Sequence, residues 1–98
     1  QIPAEIIMQN DETVVIQDIY PKAPIHYLII PKKHIPNIFD IHQSDQPVLG
    51  ALLLMAQQLA DFKKVQSFRL INNNGSQAGQ SVFHLHFHFL SGRVMQDF

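Results

Sequence analysis

The stretch His84-Leu85-His86-Phe87-His88-Phe89-Leu90 sets histidine at every second position and a large apolar residue in each gap. Alternation with period two belongs to a β-strand, whose successive side chains point to opposite faces. It predicts a strand over residues 82–90. His84, His86 and His88 would share one face, and Phe83, Leu85, Phe87 and Phe89 would face a core. That apolar side fixes the register, because a slip by one residue would bury the imidazoles. Such a strand requires a sheet beside it and an apolar layer above it.

The rest of the chain supplies both. EIIMQ (5–9) and TVVIQD (13–18) flank the turn signal Asn10-Asp11-Glu12 and read as a hairpin. HYLIIP (26–31) is a third strand, ended by Pro31, which has no N–H for a ladder. Residues 34–43 are mixed and suit a short helical turn. Ser44-Asp45-Gln46-Pro47 has the composition of a helix start, with the helix expected to run to about Phe62. SFRLINN (67–73) is a fourth strand and NNGSQAGQS (73–81) a loop. Within the helix, Val48, Leu52, Met55, Leu59 and Phe62 form one stripe, and Leu49, Leu53, Ala56 and Ala60 a second beside it. So wide an apolar surface suits either a central helix in a monomer core or a helix shared between the sheet and a second copy. The second arrangement, a homodimer, is the expectation. The fold class is α+β, an antiparallel sheet of about five strands with one long and one short helix.

At 98 residues the chain holds one domain, 1–98. Its 46% hydrophobic content argues against disorder, and a net charge of −1 gives no global field for nucleic acid or an anionic membrane. Cysteine is absent, which rules out disulfides and thiolate metal sites and fits a reducing, cytoplasmic location. The run VLGALLLMA (48–56) is less than half of the roughly 20 residues that span a bilayer, so no membrane partner is expected. No signal peptide is visible, and because the chain begins at Gln1 without methionine, further upstream residues are expected.

Two chemistries compete for the histidines. His84 and His88 lie roughly 13 Å apart along a straight strand, whereas zinc needs its ligand nitrogens at about 2.0–2.1 Å. Between Asp61 and Asp97 there is no Asp or Glu to orient metal-bound imidazoles. No metal is therefore expected, unless the fold brings Asp18 or another acid close. Around the strip lie neutral donors instead: Asn72, Asn73, Asn74, Ser76, Gln77, Gln80 and Ser81, with Arg93 beyond. Gly75 and Gly79 permit backbone turns in which amides converge on an oxyanion. Alone, that loop would read as a surface turn; beside three imidazoles it reads as a phosphate site. Neutral imidazole, with an ordinary pKa near 6.5, attacks phosphorus directly, and a neighbouring ring manages the leaving-group proton.

These residues resemble the histidine triad (HIT) superfamily of nucleotide hydrolases and transferases, and most of all its histidine triad nucleotide-binding (Hint) branch. The similarity runs through Ile2-Pro3-Ala4, Asp18-Ile19, Pro21, Ala23-Pro24, His26 and Ile30-Pro31-Lys32-Lys33-His34-Ile35. It continues through Arg69, Asn73, Gly75-Ser76, Gly79-Gln80-Ser81-Val82 and the triad to Ser91-Gly92-Arg93. The resemblance implies a HIT-like fold in a two-fold homodimer, acting without cofactors on a purine nucleoside monophosphate, its phosphoramidate or an acyl-adenylate. The implied reaction is hydrolysis of a P–N or acyl-phosphate bond through a nucleotidyl-histidine. It assigns His86 as nucleophile, His88 to the phosphate or leaving group, and His84 and His26 to a histidine relay, with the His84 carbonyl orienting His86. It assigns Asn73, Gly79, Gln80, Ser81 and Val82 to the phosphate side, Asp18 to the ribose and Ile19 to the base. Gln17 and the tail VMQDF (94–98) depart from the branch pattern, and the upstream segment that lines the base is not among these residues. Rival readings are a nucleotide-binding scaffold, a nucleotidyl transferase or dinucleoside polyphosphate hydrolase of the same superfamily, and a zinc-dependent hydrolase.

Overall fold

The computed structural model describes residues 5–97; Ile2-Pro3-Ala4 of the family resemblance and Phe98 of the tail lie outside them. Five strands form one antiparallel sheet in the order β1-β2-β3-β5-β4. They are β1 (Ile6–Gln9), β2 (Thr13–Gln17), β3 (Ile25–Pro31), β4 (Arg69–Ile71) and β5 (Phe87–Ser91). A single long helix, α1 (Gln46–Lys63), lies over β2 and β3, and short 3-10 turns occupy Ile38–Asp40, Gln43–Asp45 and Ser76–Ala78.

Local chemistry explains the boundaries. Asn10 turns the first hairpin: its Oδ1 accepts from the Glu12 and Thr13 amides and from the fully buried Thr13 hydroxyl. Asp45 is buried and holds two groups at the helix entrance, accepting from the His42 amide at 2.9 Å and from Lys33 Nζ at 2.5 Å. The Lys33 hydrogen bond is the main reason its carboxyl sits below the usual carboxylate range. Pro47 falls in the first turn, where its missing N–H costs nothing, and Lys64 closes the helix in left-handed conformation (φ 56°).

The predicted first stripe of α1 enters the core except at its end. Val48, Leu52, Met55 and Leu59 are buried with Ala56, against Val15, Tyr27, Ile29, Ile35, Leu85 and Phe89. Each such large side chain contributes about 1.5–3 kcal/mol by leaving water. Phe62 and Leu53 are 58% exposed, so the second stripe only partly joins the core.

The terminal strand departs from expectation at its beginning. It starts at Phe87 rather than Val82, because pairing with β3 ends at Ile29↔Phe87 and pairing with β4 at Ile71↔His88. Residues 82–86 run irregularly beside it. Leu85 and Phe89 are buried as the alternation requires, but Phe87 is half-buried and Phe83 is 48% exposed. Phe83 is thus no core anchor: without a ladder the backbone at 83 is not held to the pleat. The fourth strand is likewise shorter than 67–73, spanning only Arg69–Ile71.

Candidate active site

The sheet brings His26 and His88 together. In the β3–β5 register His26 faces Leu90 and Leu28 faces His88, so the two histidines are diagonal neighbours on one face. Their rings meet with Nε2 of His26 2.8 Å from Nδ1 of His88. Asp18, just past the end of β2, directs Oδ2 to within 3.4 Å of His26 Nε2 and 4.0 Å of His88 Nδ1, while its Oδ1 accepts from the Tyr20 amide. His86 completes the cluster, its ring centroid 5.2 Å from that of His88. His84 points the other way along the segment, toward His34, with centroids 5.1 Å apart.

Backbone groups fix which nitrogen of each neutral ring carries the proton, because an amide only donates and a carbonyl only accepts. The Lys22 amide donates to His26 Nδ1 at 2.9 Å, so the His26 proton sits on Nε2 and points at His88 Nδ1. His88 accepts there and keeps its own proton on Nε2. His86 donates from Nδ1 to the His84 carbonyl at 2.7 Å, which leaves its Nε2 bare, with no hydrogen-bond partner among the described residues. His84 donates from Nε2 to the Pro31 carbonyl at 2.8 Å. Within the His26–His86–His88 cluster the tautomer pattern therefore offers one free imidazole lone pair, on His86 Nε2, and one free N–H, on His88 Nε2; the bare Nδ1 of His84 belongs to the ring turned toward His34.

Burial tunes two of these rings. His26, 2% exposed, and His88 both have pKa values lowered from the ordinary imidazole value, chiefly by desolvation. The Asp18 carboxylate opposes the shift in each, while His86, His26 and Lys22 reinforce it at His88 and Lys22 does so at His26. Both rings are thus neutral at pH 7.

The irregular segment carrying His84 and His86 is held from outside the ladder. The Leu85 amide donates to the Ile35 carbonyl, His34 Nε2 donates to the Phe83 carbonyl at 3.0 Å, and Asn72 Nδ2 donates to the His86 carbonyl at 2.9 Å. Gln80, 5% exposed, takes Gly75 N–H on Oε1 and gives Nε2 to the Pro36 and Val82 carbonyls. The amides of Gly79 and Gln80 are bonded back to Ser76 and Gly75. Of Gly79, Gln80, Ser81 and Val82, the last two are therefore those whose backbone N–H groups have no partner among the described residues. Gly79 takes φ +103°, a conformation side-chain-bearing residues resist, with Asn73 beside it: a Cβ there would lie 3.8 Å from Asn73 Cγ. Asn74, read from sequence as a free donor, instead accepts the Ile38 amide on Oδ1. Ile19 is 48% exposed on the turn after Asp18. The Lys22 amide, the Pro31 carbonyl and Asn72 were not singled out by sequence for the work they do, since periodicity assigns faces and says nothing of which backbone groups meet a ring.

Among the described residues, Asp18, His26 and His88 are also the group whose spacing could hold a cation, with ligand atoms within 4.8 Å of one another. The donor chemistry fits poorly. A metal on His26 Nε2 needs the lone pair there, which moves the ring proton to Nδ1, against the Lys22 N–H already pointing at it.

With this geometry established, comparison with known proteins places the chain. Residues 1–95 match the HIT domain family, and the protein belongs to it. An uncharacterized HIT-like protein of Synechocystis sp. is 45% identical over 94 residues, 95% of this chain and 82% of that protein. A HIT family hydrolase from Legionella pneumophila superposes with TM-score 0.91 at 40% identity, covering 97% of this chain and 87% of that one. A histidine triad protein from Clostridium difficile superposes with TM-score 0.94 at 33% identity, covering 99% and 86%.

Proposed function

We propose that the protein is a nucleoside phosphoramidase: a hydrolase that cleaves P–N or acyl-phosphate bonds of purine nucleoside 5′-monophosphates by way of a nucleotidyl-His86 intermediate. One observation carries the reading. The His84 carbonyl takes the Nδ1 proton of His86 and so keeps Nε2 of the neutral ring unprotonated and free to attack. Attack forms a P–Nε2 bond as the P–N bond of the substrate breaks, its electron pair passing to nitrogen. The nitrogen leaves as amine with a proton given from Nε2 by the protonated form of His88, which returns to the neutral ring. Water then attacks phosphorus, the P–Nε2 pair returns to His86, and the proton released by water restores the site. The Ser81 and Val82 amides, the Ser81 hydroxyl and Asn73 would hold the phosphoryl oxygens, with Gly79 and Gln80 shaping that loop. Asp18 and Ile19 would meet the ribose and base, Asp18 also compensating charge on the His26–His88 pair. No step calls on a metal or other cofactor. The name of the Legionella relative, a HIT family hydrolase, agrees with this class of reaction.

We extend the reading to a two-fold homodimer working in the cytoplasm. Leu53, Leu54 and Phe62 stand exposed on α1, and the outer edge of β4 borders an open cleft of about 450 Å³ lined by Arg69, Leu70, Ile71 and Asn72. Both features suit a second copy better than water. Among the described residues no helix is long and apolar enough to cross a membrane.

The test is release of AMP from adenosine 5′-phosphoramidate. His86→Ala should abolish turnover and retain AMP binding; equal rates in the variant would end the assignment of His86. AMP binding without turnover in the wild type would favour a nucleotide-binding scaffold, and transfer of the nucleotidyl group to phosphate would favour a phosphorylase. Sedimentation at micromolar concentration should give a dimer mass.

A further inference from the structure

We infer that Asn72 is a positioning residue for His86, the side chain that replaces the missing ladder where the nucleophile sits. The inference rests on His86 being the nucleophile and concerns a residue to which neither the motif nor the proposed chemistry gives a role.

The β4–β5 register runs Arg69↔Leu90, Leu70↔Phe89, Ile71↔His88 and then stops. Continued by two residues, it would set Asn73 opposite His86. The strands part instead, and Asn72 Nδ2 reaches the His86 carbonyl at 2.9 Å. The orientation of the amide is settled, because only the NH₂ end donates to a carbonyl. A side-chain hydrogen bond thus takes over where backbone pairing ends.

The other end of the same amide supplies a second observation. Asn72 Oδ1 is buried and has no hydrogen-bond partner among the described residues. An amide with a buried acceptor left unmade is a poorer filler of that space than a branched aliphatic side chain of similar size. The donor end must therefore earn the residue its place, and among the described residues its hydrogen bond goes to the nucleophile's own carbonyl.

His86 is consequently held at two points. Its Nδ1 is held by the His84 carbonyl and its main chain by Asn72. Removing the second hold frees the peptide between His86 and Phe87 to rotate, and the ring turns with it. A misplacement of about 1 Å is enough to cost on the order of a hundredfold in an oriented attack. Groups that bind the nucleotide from the 73–82 loop and from Asp18 are held by other bonds, so the loss falls on the chemical step.

Two variants test this. Asn72→Val fills the space without a donor. Asn72→Asp keeps the shape and turns an oxygen toward the carbonyl. Each is expected to lower kcat about ten- to a hundredfold with KM within about twofold. Nitrogen-15 spectra of His86 are expected to change from a single Nδ1-protonated tautomer to a mixture. Should the Val variant fail to fold, the Asp variant, matched in shape, carries the test. Variants that keep kcat within twofold and a single His86 tautomer overturn the inference, as does a parallel loss of kcat and nucleotide binding. A wild type that shows no turnover sinks the hydrolase reading; the His86 spectra, recorded without substrate, still decide the role of Asn72.

Discussion

Replacing Gln80 by leucine is the sharpest probe of how the glycine loop is built. The side chain is 5% exposed and makes three hydrogen bonds: from Gly75 N–H at 2.8 Å, to the Pro36 carbonyl at 2.8 Å and to the Val82 carbonyl at 3.1 Å. Leucine has a similar volume, so the change removes the bonds with little cavity. Three bonds at about 0.5–1.5 kcal/mol each sum to about 1.5–4.5 kcal/mol. Val82 is exposed and its carbonyl regains water, which favours the lower half, about 2–3 kcal/mol. With an m-value of about 1–3 kcal/mol per molar urea, the unfolding midpoint should fall by about 0.7–3 M with the slope unchanged. Protein concentration must be held fixed, since dimerisation would couple to unfolding. Gln80→Glu separates hydrogen bonding from packing. Its carboxylate still accepts from Gly75 but faces two carbonyls with no proton to give, so at pH 7 it should be less stable than the leucine variant. The same loop presents the Ser81 and Val82 amides, so AMP affinity should fall at least tenfold in both. A midpoint within about 0.3 M of wild type, or a Glu variant as stable as wild type, would refute the account.

Other perturbations follow from the same geometry. Gly92→Ala places a Cβ 2.8 Å from Pro24 Cβ at φ +98° and should cost about 2–4 kcal/mol, lowering Tm by at least about 8 °C in a calorimetric scan. Stability should also fall on acidification through the range below the ordinary imidazole pKa of 6.5. His26 and His88 are held below that value, so the unfolded chain takes up protons that the folded chain refuses; their effect is absent above it and grows as pH falls toward the folded values. Urea midpoints from pH 8 to 5 should decline, with a further loss below about pH 4 as Asp45, whose carboxyl is depressed, takes up its proton. A midpoint that rises between pH 7 and 5 would contradict the burial of the pair. Turnover should survive EDTA unchanged, and loss of activity restored by zinc would revive a metal role for Asp18, His26 and His88.

How much of this was legible in the sequence depends on the kind of contact. The α+β class, the hairpin on Asn10, the helix over 46–63 and the buried stripe Val48, Leu52, Met55, Leu59 all follow from periodicity and turn chemistry. The neighbouring placement of His86 and His88 was legible too, their ring centroids lying 5.2 Å apart, although the chain bends at residue 84 and turns that ring toward His34. The end of the ladder was hidden. Nothing in VFHLHFHFL tells residue 86 from residue 88, although one lies outside the sheet and the other inside it. The pairing of His26 with His88 spans 62 positions and needs the β3–β5 register. Gln80 and Asn74 look like open donors by composition; Gln80 is spent inside the protein, as a buried polar group must be, and Asn74 holds the Ile38 amide nearer the surface.

The end of the ladder is also where the chemistry has to be. In a strand paired on both sides each carbonyl is committed to a neighbour, and a side chain competing for it would break the sheet. Residues 82–86 have left the sheet, so the His84 carbonyl is open to take the His86 Nδ1 proton, and the Pro31 carbonyl, at the last residue of β3, takes that of His84. Two residues past His86, His88 sits within β5, fixed by Leu28 and Ile71, and meets a buried His26 whose tautomer a backbone amide decides. The strand gives the relay its rigidity, and the break in the strand gives the nucleophile its free lone pair. Pairing residue 84 into the sheet would remove the acceptor that keeps His86 Nε2 bare, so a shift of the strand boundary by a few residues would dismantle the site while leaving the histidine pattern untouched.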